Sequence, residues 1–405
     1  MTTTTARAPT PSADARAHSE ARPERDPRKS PARLIKFNNN AFPGFYPLVK
    51  ARVRRHLEDT GQTRYADWTI ALKGALFAAL AFAAYGVVLS GAVPPWALLV
   101  FGLLFGCFAL LVAINVAHDA AHHALTPNRS LNTLIQTLAF TMLGANAYLW
   151  QLRHVKSHHT FPNVNGCDVD IDSNAFLRLS PNHPRRWYHR YQHLYAPFIF
   201  WLVDIHAVFY NDFVYLFKTR LANMVDITHR PRDYVVFALS KLAYVALVFV
   251  LPLITLDLPW WMVLSGSLVM SFGVSLMFVL LLIGTHFALE TEFPEFDEEG
   301  RLDNNWAVHA LVTSLDWSPE SRLACFLMGG TNAHAAHHLF PGVSHRHYVA
   351  ITRIIRETAA EFGIPYKRTT LPRMIRSHFR FLRRMGEVPG PAKGPADPLL
   401  APAAA

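Results

Sequence analysis

The chain has 405 residues, of which 51% are hydrophobic and 17% charged, with a net charge of +10. That length leaves room for two or three soluble domains, but the apolar residues are gathered into blocks, which excludes such an arrangement. The basic balance does not imply nucleic acid. No nucleic-acid motif accompanies it, and the lysines and arginines stand where membrane topology and anionic headgroups place them.

In chain order, residues 1–35 are polar and rich in Arg, Pro and Thr, so they are expected to be a disordered basic segment with no signal peptide. Residues 74–117 then contain no Asp, Glu, Lys or Arg, and Pro94-Pro95 interrupt them. A bilayer span needs about 20 apolar residues, so the run predicts a helical hairpin, Trp68–Ser90 followed by Trp96–Ala117. Residues 131–150 carry Gln136, Gly144 and Asn146, and residues 194–217 carry Asp204, His206, Asn211 and Asp212. These interruptions predict interfacial or half-inserted amphipathic helices. A second apolar block lies between Tyr234 and His286, with Lys241 near its start and Asp257 in the Leu256–Pro259 turn. It predicts a second hairpin. Residues 385–405, rich in Pro and Ala, are expected to be disordered.

Neither block shows the polar stripe of a soluble helix. The expected fold class is therefore an all-α integral membrane protein: four transmembrane helices in two hairpins, interfacial helices, and a histidine-rich cytoplasmic cap. Lys and Arg crowd the segments before the first span, at 128–233 and at 301–384, whereas the two hairpin turns carry none. Cytoplasmic loops are the Lys/Arg-rich ones, which puts both termini and the middle segment in the cytoplasm. The three cysteines, Cys107, Cys167 and Cys325, fit neither a disulfide framework nor a zinc ribbon.

Three histidine clusters flank these blocks on the same predicted side: H-D-A-A-H-H (His118, His122, His123), H-V-K-S-H-H (His154, His158, His159) and H-A-A-H-H (His334, His337, His338). Imidazole is the commonest metal ligand. Residues three or four apart share one helix face, so His118/His122, His154/His158 and His334/His338 are expected to pair. His123 points about 100° away from His122 and is left out. His286, in I-G-T-H-F-A-L-E at the end of the last span, is a further candidate. The remaining histidines, among them His189, His229, His309 and His345, lack the spacing and are expected at the surface or behind the ligands.

An all-imidazole set suits Zn, Cu, Fe or Ni, and about three protein ligands per ion make eight or nine histidines a site for two ions. The H-E-x-x-H zinc motif is absent, and the spans contain no facing histidines for a haem. Two irons doing oxygen chemistry remain. Metal-bound histidines usually donate their other N–H to a carboxylate or carbonyl. The acids near the clusters are Asp119, Asp168, Asp170, Asp172, Glu290 and Asp316, and Asp119, Asp170, Asp172 and Asn332 are the candidates to stand behind the ligands. No catalytic residue beyond the ligands is expected.

The motifs H-D-x-x-H, H-x-x-x-H-H-T-F-P-N with D-x-D-I-D, and G-G-T-N-A-H-A-A-H-H-L-F-P-G-V-S-H resemble those of the membrane-bound fatty acid desaturases, in particular the front-end, linoleoyl-CoA desaturase-like branch. F-Y-P-L-V-K-A-R-V and H-F-A-L-E-T-E-F-P are similar to the same branch, and the resemblance spans roughly residues 36–370, within an expected domain of 36–384. It implies a non-haem di-iron centre that uses O₂ and two electrons to remove two hydrogens from a fatty acyl chain carried on CoA or on a lipid. It also implies His118, His122, His154, His158, His159, His286, His334, His337 and His338 as the ligands. Front-end members typically open the third box with Gln, where this chain has His334. Many eukaryotic members carry a fused cytochrome domain with an H-P-G-G motif. That motif is not in this sequence, so electrons are expected from a separate donor such as ferredoxin or a cytochrome with its reductase. A hydroxylase or acetylenase built on the same centre is the alternative. A metal transporter expects ionisable residues along a path through the spans, and these spans are nearly devoid of them.

Overall fold

The computed structural model describes residues 35–172 and 176–389. The expected disordered tails lie outside them, apart from Ile35 and residues 385–389. The last helix runs past the expected domain end at 384, to Glu387.

Among the described residues four helices are long and apolar enough to cross a membrane: α2 (Trp68–Ser90), α3 (Pro95–Ala121), α8 (Pro231–Thr255) and α9 (Trp260–Thr285). They follow α1 (Phe45–Asp59) and form the two predicted hairpins. Local sequence sets their ends. The Asp67 carboxylate accepts the backbone N–H groups of Thr69 and Ile70 to start α2. Gly91, at φ +60°, closes it in the left-handed conformation that costs glycine least. Pro95 and Pro231 stand in the first turns of α3 and α8, where a missing N–H is harmless. The hairpins meet through glycines. A Cβ at Gly106 would lie 2.7 Å from Met270, and one at Gly273 would lie 2.0 Å from Leu103. Gly91 and Leu256 approach each other too, so both hairpin turns lie at one end of the bundle and the histidine clusters at the other.

Between the hairpins come α4 (Arg129–Met142) and α5 (Ala147–Gln151), capped by Asn128 and Asn146, then α6 (Trp187–Trp201) and α7 (Val203–Phe217). At 14 residues α4 is too short to span a bilayer, and α6 and α7 are bent by 67°. Lys241, in the third span, reaches Asp212 of α7 at 2.8 Å and the carbonyls of Gly144 and Val208. Asp212 also accepts the backbone N–H of Asn146, the residue that caps α5. A buried ion pair is costly unless it is fully bonded. This one is, and it ties the second hairpin to the entry of the second histidine cluster.

The cap is built from α10 (Trp306–Val312), α11 (Arg322–Leu327), α12 (His334–Leu339), α13 (Tyr348–Glu361) and α14 (Leu371–Glu387). Phe45, Val49 and Val53 of α1 form one buried face with Leu311, Ile351 and Ile355, so the N-terminal helix clamps α10, α12 and α13 together. Two short parallel strand pairs, Lys36–Phe37 with Arg301–Leu302 and Asp316–Trp317 with Arg368–Thr369, pin the ends of the cap.

Candidate metal centre

The first two clusters are carried on π-turns. Ala113–Ala117 precedes His118, and Leu152–His158 holds the second cluster. Such insertions recur at functional sites because they re-aim side chains within a helix. Here the backbone N–H of His159 bonds His154 O at 2.9 Å, and the Nε2 atoms of these two rings approach to 3.0 Å. The expected pairing of His154 with His158 is kept, since the two lie within reach of one another together with Asp170. Each ring also joins a different four-histidine group.

Two groups result. One ring nitrogen from each of His118, His122, His154 and His337 lies within 4.8 Å of the others, and the same holds for His158, His286, His334 and His338. In α12 the i,i+4 pair His334/His338 goes to the second group while His337 turns to the first. His159 lies between the groups, its ring centroid 4.5 Å from His337 and 4.4 Å from His338. His123, at φ +55°, joins neither.

Hydrogen bonds set the tautomers of the second group. His158 Nδ1 donates to Asp168 at 3.1 Å, His286 Nδ1 to Thr313 O at 2.9 Å, and His334 Nδ1 to Thr331 O at 3.3 Å. Each leaves its Nε2 lone pair facing inward. His286 Nε2 lies 2.7 Å from that of His334 and 3.0 Å from those of His158 and His338. Converging lone pairs repel one another, and a cation among them turns that repulsion into ligation. In the first group the Nε2 atoms of His122 and His337 are buried and unpartnered. A buried acceptor left so carries an uncompensated desolvation cost. A metal ion removes it.

Electrostatics agree. Burial, reinforced by neighbouring imidazoles, pushes His122, His154, His159, His286, His337 and His338 well below the ordinary histidine value, and burial takes His334 to about 3. The rings are therefore neutral, as ligands must be. Burial opposes charge on His158 as well, but Asp168 and Asp170 outweigh it and raise its pKa.

The residues expected behind the ligands fall out differently. Asp168 holds His158 directly and is itself fixed by the backbone N–H groups of Asn163 and Asp170. Asp170 pairs with Arg153 at 3.0 Å and lies 3.7 Å from His158 Nδ1. Asp119 touches no clustered ring nitrogen: its carboxylate takes the Ser344 hydroxyl and His345 Nδ1. Asn332 donates to the carbonyls of Trp317 and Ser318, bracing the loop before α12. The Asp172 side chain lies outside the described residues. Asp316 accepts the Ala335 N–H at 2.9 Å and the Tyr366 hydroxyl, which anchors the start of α12.

Several residues at the site gave no sequence signal of their role. Lys73 Nζ sits 2.8 Å from His345 Nε2, so Lys73, His345 and Asp119 form a buried chain from the first span to the first cluster. His309 is fully buried and donates to Pro162 O.

The profile described as "Fatty acid desaturase" matches residues 94–370. The chain belongs to the fatty acid desaturase family. It is 30% identical to the acyl-lipid (8-3)-desaturase of Physcomitrium patens, over 84% of this chain and 72% of that protein. It is 28% identical to the sn-1 linoleoyl-lipid 6-desaturase of Synechocystis sp., over 88% of this chain and 99% of the relative. An acyl-lipid (8-3)-desaturase B of Dictyostelium discoideum is 28% identical over 87% and 78% of the two chains. The resemblance to the front-end branch holds. This desaturase also keeps the family's membrane character in its four apolar helices.

Proposed function

We propose that this oxidoreductase inserts a double bond into a fatty acyl chain, using O₂ and two electrons at a di-iron centre. The nine histidines named by the resemblance would hold the irons: His118, His122, His154 and His337 one, His158, His286, His334 and His338 the other, with His159 between. The observation that carries this reading is the pair of four-histidine groups with converging, inward-facing ring nitrogens. The names of the relatives favour an acyl group carried on a lipid.

The balanced reaction takes a –CH₂–CH₂– unit, O₂, two electrons and two protons to –CH=CH– and two waters. An unactivated C–H bond is beyond any side chain, so bound iron would supply the oxygen activation. The chain's own residues do the rest. Asp168 and the Thr313 and Thr331 carbonyls hold their rings in the ligating tautomer. The buried walls around the histidines exclude water. The Lys/Arg asymmetry supports a site and both termini on the cytoplasmic side.

Expression in a host lacking the activity, followed by mass spectrometry of fatty acid methyl esters, tests the reading. A new unsaturated product supports it, whereas a hydroxylated or acetylenic product moves the chain to another activity of the same centre. One zinc and no iron in the purified protein would overturn the di-iron reading.

A further inference from the structure

Two basic surfaces meet at the histidine end of the bundle. α14 turns Met374, His378 and Phe381 inward and leaves Arg373, Arg376, Arg380, Arg383 and Arg384 exposed. Its last turn lies against the start of α6. Arg185 Nε donates to Gly386 O at 2.6 Å, and a Cβ at Gly386 would stand 2.3 Å from His189 O. The start of α6 adds exposed Arg185, Arg186 and Arg190. Among the described residues only Arg383 of this set has a carboxylate partner, Glu387 at 3.0 Å. Guanidinium groups gathered in this way repel one another, and planar oxyanions such as phosphate relieve them.

Apolar side chains interleave with these cations. Trp187 is 80% exposed, Leu194 63% and Phe198 62%. With Tyr191, 50% exposed, they recur every three or four residues, which places them along one side of α6. The stripe continues into exposed Phe209, Phe213 and Phe217 of α7. In α14, Ile375 and Phe379 are partly exposed beside the arginine face and line a small cleft with Leu280 of the fourth span. A soluble acidic partner would account for the arginines but not for an almost bare tryptophan that leads into an aromatic stripe. A bilayer surface accounts for both, with rings at headgroup depth, apolar residues below and cations at the phosphates.

We propose that the seam between the start of α6 and α14 is a binding surface for the anionic phospholipid headgroups of the bilayer that holds the protein. It goes beyond the catalytic reading, and its test reads bound lipid, so the two can fail separately.

The full-length protein is extracted in polymer-bounded discs from vesicles of phosphatidylcholine with one-fifth phosphatidylglycerol, and the co-extracted lipid is quantified. The wild type should enrich phosphatidylglycerol about two- to fivefold over the bulk, less so at high salt, where screening shortens to a few ångströms. Two triple variants, Arg185→Gln/Arg186→Gln/Arg190→Gln and Arg376→Gln/Arg380→Gln/Arg383→Gln, should each bring the ratio most of the way back to bulk. A control, Lys50→Gln/Arg54→Gln/Arg55→Gln, removes equal charge from α1, which exposes no large apolar side chain, and should keep the enrichment. A wild-type ratio equal to bulk overturns the proposal, as does an equal loss in the control. So does unchanged lipid in both seam variants with slower reduction by an acidic electron-donor protein, which would assign the seam to that protein instead.

Discussion

The two histidine groups are held in place by different means. In the second group, His158, His286 and His334 each have Nδ1 tied to a carboxylate or carbonyl of the surrounding loops. In the first group, among the described residues, only His337 has its Nδ1 in a polar contact, 3.3 Å from the Tyr348 hydroxyl. Its rings are instead packed against one another and against Trp150, stacked, tilted or edge-on. Trp150 lies over His154 with centroids 4.3 Å apart, and His118 lies 4.4 Å from His337. A hydrogen bond fixes both the orientation and the tautomer of a ring, whereas stacking fixes orientation alone. The second group is thus preorganised to take an ion, whereas the first would depend more on an ion to select its tautomers.

The sharpest way to break this comparison is to remove one ligand from each group. His158→Ala and His337→Ala should both abolish desaturation, because each group loses one of four ring nitrogens, while the protein stays in the membrane. His229→Ala, whose ring bonds Tyr148 away from both groups, should retain activity. Product yield and iron per chain are the measurements. Full activity in either ligand variant would remove that residue from the set.

Removing what stands behind the ligands sharpens the contrast. Asp168→Asn withdraws the charged acceptor of His158, and outer partners of this kind are worth about 10- to 100-fold in metal affinity. Tyr348→Phe deletes one long hydrogen bond, worth about 1 kcal/mol, and should cost the first group only a few-fold. Titration with a chelator reads both. Equal losses would mean that the two groups are held alike.

What sequence reading could reach follows the same division. The three clusters and four spans were legible because each is a local pattern of spacing or hydropathy. The allocation of rings was not. A π-turn leaves no mark in residue spacing, so the i,i+4 pair His154/His158, which does share a group with Asp170, gave no sign that each ring also joins a different four-histidine group. Among the acids, Asp119 stood next to a ligand in sequence yet bonds His345, 226 residues away, while Asp168 is the acid that bonds a ligand. The Lys73–His345 and Lys241–Asp212 contacts were equally invisible, since they depend on how distant helices dock. Adjacency in the chain is a poor guide where the cap folds over the spans.

Acid should act on both groups, and two histidines in neither group provide the baseline for reading that effect. His309 and His378 are buried, donate to the carbonyls of Pro162 and Phe287, and are pushed by burial to about 4. Their folded values lie below the unfolded value of about 6.5. The stability they contribute is therefore present above pH 6.5 and lost as pH falls through 4, since the unfolded chain takes up protons first. Thermal melts of metal-free protein between pH 7.5 and 4.5 should show Tm falling below pH 6.5. The fall should be shallower in His309→Gln/His378→Gln. An unchanged slope in the double variant would assign the acid sensitivity to the two groups themselves.

The smallest expected change tests the position where this chain departs from its branch. His334 opens α12, donates from Nδ1 to Thr331 O and brings Nε2 to 2.7 Å from that of His286. His334→Gln replaces imidazole with a carbonyl oxygen, a harder and weaker donor that can still hold an iron or its bound water loosely. His158 and His286 keep their ties, so the site should stay assembled around the weaker ligand. Activity should fall only part of the way, with lower iron occupancy and the double bond in the same place, because regiochemistry depends on how the acyl chain is seated rather than on one ligand. His334→Ala offers no donor and leaves a gap beside His286, so it should do worse. Product yield, double-bond position and iron content of wild type, Gln and Ala variants decide the matter. If Ala equals Gln, or if Gln is inactive with iron fully retained, then His334 is not an exchangeable ligand and the preorganisation of the second group does not extend to it.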